Sequence, residues 1–186
     1  MSRVRLTPEA LVAGAAELAD EIGFENVTLA ALAKRFGVRD ASLYTHVRGL
    51  ADLRERVALL ALTEWADALG AAVAGRAGRD ALVAFADTYR RLATGRPGRY
   101  AATRHPVSSE GNAGVARIVE VCFALLRGYA LAEPDAIDAV RLLRSTLHGF
   151  SDLEATNRFT DEHSVEISWQ RAIDALHHTF ANWSKI

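Results

Sequence analysis

The chain carries one cysteine, Cys122, in 186 residues. No intrachain disulfide can form, and a reducing cytoplasm fits that usage. Lysine is nearly as scarce. Only Lys34 and Lys185 occur, so every other cationic side chain apart from histidine is arginine. No apolar run approaches the ~20 residues needed to cross a bilayer. The longest, around Val57–Leu62, is soon interrupted by Glu64 and Asp67. The N-terminal sequence MSRVRLTPEA lacks the apolar segment of a secretion signal. Strand-like alternation, internal repeats and low-complexity tracts are also missing. There is no Gly-rich phosphate loop, no G-x-S-x-G and no H-E-x-x-H, so no catalytic set is expected. His177 and His178 are adjacent and would point about 100° apart on a helix, which rules out joint chelation. His163 and Glu166 have chelating spacing, but such a pair reads as a solvated face. Neither a metal site nor a cofactor is expected.

What is present is helical pattern almost throughout. Half of the residues are hydrophobic, enough for a sizeable core. Thr7 as N-cap, Pro8 at the first helical position and Glu9 in the first turn open a helix that Gly23 ends. Its stripe is Leu11, Ala15, Leu18 and Ile22. A long helix is expected over about Leu50–Ala74, and another over Arg79–Thr94. Gly95-Arg96-Pro97-Gly98 reads as a break, followed by a short helix at Arg99–Thr103. The segment from His105-Pro106 to Gly114 reads as a loop. Three further helices are expected at about Val115–Leu131, Pro134–Ala155 and Ser164–Trp183. The fold class is therefore all-α, with about nine helices. A three-helix unit over residues 1–49 precedes a larger bundle over residues 50–186.

The most informative stretch is TLAALAKRFGVRDASLYTHV, residues 28–47. Leu29, Leu32, Ala33 and Phe36 follow i, i+3, i+4, i+7 spacing and give one apolar stripe. Thr28 stands where a side-chain oxygen caps that helix, and Gly37 where a left-handed residue ends it. Leu43 and Val47 give the next helix only a small buried edge. Its other face shows Arg39, Asp40, Ala41, Ser42, Tyr44, Thr45 and His46. A short helix with little apolar surface and many hydrogen-bonding side chains is what a helix-turn-helix offers to DNA. Net charge over the whole chain is −1, yet residues 28–48 hold Lys34, Arg35, Arg39 and Arg48 against Asp40 alone. Arginine reads guanine edges, so Arg39 either meets a base or neutralises a phosphate. Asp40 either accepts from cytosine or caps its own helix. Lys34 and Arg35 fit a phosphate-facing or a solvated surface, and Arg3 and Arg5 fit a minor-groove arm or a tail. The rival reading is a ligand-carrying helical bundle without specific DNA binding. It leaves the basic, polar face of residues 28–48 without a purpose.

Thr28-Leu29-Ala30-Ala31-Leu32-Ala33, Phe36-Gly37-Val38, Ser42-Leu43-Tyr44-Thr45-His46-Val47 and Leu53 together resemble the N-terminal domain of the TetR family of bacterial transcriptional repressors. Leu147-His148-Gly149-Phe150, with Trp169-Gln170-Arg171, resembles the C-terminal domain of a subgroup with a W/L-H-G motif. The resemblance implies a double-stranded, palindromic DNA operator, a homodimer and a small-molecule effector. It implies phosphate contacts at Tyr44 and His46, and at Thr28 through the helix N-terminus. Many members open the fourth helix with a phosphate-binding lysine. This chain has Leu50 there, with Arg48 close enough to substitute.

Helices four to eight are expected to surround an effector pocket lined by some of Trp65, Phe85, Tyr89, Tyr100, Phe123, Tyr129, His148 and Phe150. His105 and His148 are its candidate polar contacts. The last two helices are expected to form a four-helix dimer interface through Val140, Leu147, Trp169, Ile173, Leu176 and Phe180, with Trp183 as a second tryptophan anchor. No membrane association is expected.

Overall fold

A computed structural model describes residues 6–107 and 113–185. Among them are nine α-helices and no strand. They are α1 (Pro8–Ile22), α2 (Leu29–Phe36), α3 (Asp40–Leu43), α4 (Leu50–Val73), α5 (Gly78–Gly95), α6 (Pro97–Ala102), α7 (Ala113–Leu126), α8 (Asp135–Ala155) and α9 (Val165–Ala181). None is long and apolar enough to cross a membrane. Arg3 and Arg5 lie outside the described residues.

The chain divides into two compact units. The first runs through Glu64 and resumes at Arg96. The second comprises Trp65–Gly95 and the chain from Ala113 onward. Helix α4 contributes its first fifteen residues to one unit and the rest to the other. The first unit thus extends beyond residue 49, taking in the start of α4 and all of α6.

The first unit is built on small side chains. Ala15, Ala16, Ala19 and Ala102 are fully buried beside Leu11, Leu32, Leu43 and Leu53. Helix caps follow the sequence signals. The Thr7 hydroxyl accepts from the Ala10 amide at 3.2 Å, and Pro8 starts α1. Helix α6 begins earlier than the sequence indicates. Pro97 is its first residue, where a missing N–H does no harm, and Gly98 lies within it, buried. Asp20 near the end of α1 accepts the Arg99 amide at 2.8 Å and pairs with the Arg99 guanidinium.

In the second unit, α8 and α9 pack on α5. Trp169 is completely buried and donates its indole N–H to Asp87 at 2.8 Å. Arg90 stacks on the Phe150 and Trp169 rings and pairs with Glu154 at 2.7 Å and Glu166 at 2.6 Å. The hydrogen bonds from its guanidinium to those carboxylates hold its pKa above the ordinary arginine value. Burial on α7 pushes the Cys122 thiol up to about 11, so it behaves as a packing group.

Candidate nucleic-acid interface

Helix α2 is fixed from both ends. The Thr28 hydroxyl accepts from the Ala31 amide at 3.1 Å, and Gly37 leaves the helix in the left-handed conformation at φ 65°. Leu32 and Ala33 are buried against α1, and the Phe36 ring lies over Gly14. A side chain at Gly14 would put its Cβ 2.5 Å from that ring. The two cations of α2 diverge. Arg35 grips α1, reaching Glu21 at 2.8 and 2.9 Å and Glu17 at 2.9 Å, whereas Lys34 stands exposed. Arg35 is thus a staple between helices, and Lys34 is left facing solvent.

Helix α3 is short. Leu43 and Val47 seat it in the core. Arg39, Asp40, Ala41, Ser42, Tyr44 and Thr45 are exposed around it, with Tyr44 at 60% of its free surface. Asp40 does not cap α3. The capping position is Arg39, which makes no side-chain cap bond, and Asp40 is the first helical residue, leaving its carboxylate exposed. The Thr45 hydroxyl donates to the Ser42 carbonyl at 2.7 Å and keeps its lone pairs for a partner. His46 is half-buried.

Arg48 is not free. Its amide donates to Asp52 at 3.0 Å, and its guanidinium reaches the same carboxylate at 3.1 and 3.3 Å. Burial alone would raise the Asp52 pKa, but the hydrogen bonds from Arg48 and Arg56 outweigh it and hold the carboxyl below its usual range. Asp52, Arg54 and Arg56 are functional candidates that the sequence reading passed over. Their signal was four charges within five residues, Asp52, Arg54, Glu55 and Arg56, crowded onto the part of α4 that flanks a buried stripe.

The surface formed by residues 28–48 therefore offers hydroxyl, imidazole and cationic donors on one side and hydrocarbon on the other. Those groups suit phosphate oxygens and base edges. If Tyr44 donates to a phosphate, Tyr44→Phe weakens every duplex alike, by about fivefold for one lost hydrogen bond of ~1 kcal/mol. Titrating a preferred and a scrambled duplex checks this. A change in base preference would instead assign Tyr44 to readout.

The other expected sites fare differently. Tyr100 and His105 belong to the first unit, not to the helical bundle. His105 meets the Phe24 ring edge-on at 5.4 Å, and Arg104 covers the Tyr100 ring. In the second unit Trp65 packs edge-on against Tyr89 at 6.3 Å, and the Tyr89 hydroxyl lies 3.5 Å from His148. Phe85 is buried, and Phe123 and Phe150 are half-buried. Tyr129 is also in this unit, paired with His177 at 3.0 Å. An open cleft of about 590 Å³ in the same unit is lined instead by Ala66, Asp67, Gly70, Arg117, Glu120 and Val121 among others. Val140, Leu147, Trp169, Ile173, Leu176 and Phe180 are 0–6% exposed within a single chain. They face the chain's own core and leave little surface of their own for a partner. Trp183 is half-buried beside Phe180. The large apolar residues that α8 and α9 do expose are Ile137, Leu142, Leu153 and Ile167.

Residues 11–57 match the model of "Bacterial regulatory proteins, tetR family", and residues 82–176 match "Tetracyclin repressor-like, C-terminal domain". The chain is 39% identical over 166 residues to the uncharacterized HTH-type transcriptional regulator YobS of Bacillus subtilis, covering 88% of this chain and 86% of that one. It is 36% identical over 161 residues to the uncharacterized HTH-type transcriptional regulator Rv0681 of Mycobacterium tuberculosis, covering 84% and 74%. Among solved structures, a protein of unknown function from Rhodococcus sp. RHA1 superposes with a TM-score of 0.78 at 20% identity, covering 94% and 95%. The Q116A variant of TetR from Acinetobacter baumannii AYE, in complex with minocycline, gives 0.71 at 19% identity, covering 96% and 98%. With a helix-turn-helix whose polar face is open and whose apolar face is packed, the chain belongs to the TetR family and is a DNA-binding transcriptional regulator.

Proposed function

We propose that the protein is a homodimeric repressor, released from a palindromic operator by a small hydrophobic or amphipathic effector. The observation that carries this reading is the solvent-facing set Lys34, Arg39, Ser42, Tyr44 and Thr45 on a motif otherwise anchored in a core. One such motif touches too few bases for tight specific binding, so two half-sites are required.

The surface that supports dimerisation is the outer face of α8. Leu142, Gly149 and Leu153 are spaced by seven and four residues and share one helical line. Leu142 and Leu153 are exposed, and a Cβ at Gly149 would meet nothing within 4 Å. Two large apolar groups flanking a glycine suit close approach by a second helix. Ile167 extends apolar exposure onto α9. The double variant Leu142→Asp, Leu153→Asp is expected to convert a dimer to the 20.2 kDa monomer. Light scattering checks it, and a wild-type monomer at micromolar concentration would overturn the proposal.

For the effector, the second unit offers Trp65, Tyr89 and His148 as an aromatic and hydrogen-bonding cluster among apolar helices. That a structural relative, the Q116A variant of TetR from Acinetobacter baumannii AYE, is in complex with minocycline supports this reading. Effector and DNA would communicate through α4, which belongs to both units. An effector shifts that balance only by its differential affinity for the two states. A gel-shift titration against the DNA upstream of the protein's own gene tests the function. Binding no tighter than to unrelated DNA would sink the repressor reading.

A further inference from the structure

Helix α4 grips the helix-turn-helix at both ends through main-chain carbonyls. Leu53 and Val57 form its buried stripe, 0% and 1% exposed. Arg54 and Arg56 leave the helix on either side of that stripe. On one side, Arg54 donates to the Glu25 carbonyl at 2.7 Å and to the Val27 carbonyl at 3.5 Å, immediately before the Thr28 cap of α2. It also lies over the Phe24 ring, 5.9 Å from its centroid, and 3.7 Å from the Glu25 carboxylate. On the other side, Arg56 donates to the His46 carbonyl at 3.3 Å, just past α3, while its second terminal nitrogen pairs with Asp52 at 3.0 Å. Asp52 in turn holds Arg48. The entry of α2 and the exit of α3 are thereby both bonded to one turn of α4.

We infer that Arg54 and Arg56 are positioning residues for DNA recognition, which set the angle at which α2 and α3 leave α4 without touching DNA themselves. The inference rests on DNA recognition by residues 28–48. Each carbonyl is a single acceptor at a fixed point of the backbone, so the bond is directional. Arginine suits the task because its planar fork satisfies a carbonyl and a carboxylate at once, which a lysine ammonium on a flexible stem does not hold in fixed geometry. Two such grips, one at each end of a twenty-residue motif, resist rotation as well as translation. A displacement of the first half of α4 is then delivered to α3 through these bonds.

The test uses the full-length protein and a duplex that the wild type enriches from random-sequence DNA. Arg56→Gln should weaken that duplex about tenfold, the loss of one charge-assisted hydrogen bond. A scrambled duplex should be weakened less, so the specificity ratio falls. The slope of log affinity against log salt should stay at the wild-type value, because no phosphate contact is lost. Arg56→Lys should recover only part of the affinity. Circular dichroism establishes that each variant is folded, and if Arg56→Gln is not, Arg56→Lys decides alone. A slope smaller by about one would make Arg56 a phosphate ligand and overturn the inference. Full affinity in Arg56→Lys would do the same by showing that charge alone suffices. If the wild type enriched no sequence, the DNA reading would fall, and this inference with it.

Discussion

Replacing Gly98 with alanine is expected to destabilise the DNA-reading unit by about 3 kcal/mol, the upper part of the range for overpacking. The thermal midpoint should drop by roughly 6–12 °C for a chain of this length. One methyl group has this effect because the added Cβ would overlap the carbonyl carbon and oxygen of Ala19 and lie 2.5 Å from the Asp20 amide nitrogen. All three obstacles are backbone of α1, and backbone cannot swing aside as a side-chain tip can. Relief requires α6 to move off α1. That movement pulls Arg99 from Asp20 and opens the layer of Ala15, Ala16, Ala19 and Ala102. Specific DNA binding should weaken with it, since α1 also carries Glu17 and Glu21, the partners that hold α2 through Arg35. Gly95→Ala is the control. A Cβ there meets nothing within 4 Å, and the change should stay within about 0.5 kcal/mol. Thermal melts and duplex titration of the two variants make the comparison. Equal stability of both would show that α1 and α6 do not meet as described.

Trp169→Ala should be costlier still, by about 3–5 kcal/mol. The indole is completely buried, packs edge-on against Phe150 at 5.0 Å, lies under the Arg90 guanidinium at 5.2 Å and satisfies Asp87. Truncation removes the hydrocarbon, leaves a cavity and strips Asp87 of its donor. It also exposes one side of a cation that Glu154 and Glu166 neutralise. Trp169→Phe keeps most of the volume but not the indole N–H, and should cost about 1–2 kcal/mol. Because the side chain is spent inside its own subunit, the folded variant should keep the wild-type mass in light scattering. A halved mass with little loss of thermal stability would place Trp169 at a subunit contact.

The contrast between these residues explains what the sequence disclosed. Caps were legible because they are local. Thr7 and Thr28 sit one residue before a helix and bond an amide three residues on, and Gly37 marks the required left-handed exit. The solvent-facing side of α3 was legible for a related reason, since a helix whose one buried residue is Leu43 must expose the rest. Gly95-Arg96-Pro97-Gly98 was legible as a break, which falls at Arg96, but local preference alone made it too wide. Here Pro97 opens a helix, and Gly98 answers to α1, almost eighty residues earlier in the chain. The stripe of Trp169, Ile173, Leu176 and Phe180 showed that one side of α9 is covered, but periodicity carries no information about which chain covers it. Asp40 was misplaced by one residue, the ordinary uncertainty of a helix start. Arg54 and Arg56 were invisible as grips because their acceptors are main-chain carbonyls, which no side-chain pattern records.

Lysine scarcity has a practical consequence. Lys34 is the one lysine within the helix-turn-helix, and it stands exposed on α2 while the neighbouring Arg35 is tied down. The only other lysine of the chain is Lys185, next to the C-terminus. An amine-acylating reagent therefore meets a single side chain on the proposed DNA-reading surface, and its rate of modification there is a built-in footprint of occupancy. Lys185 in the same sample supplies the reference for reagent strength, so neither an engineered label nor a second protein is required.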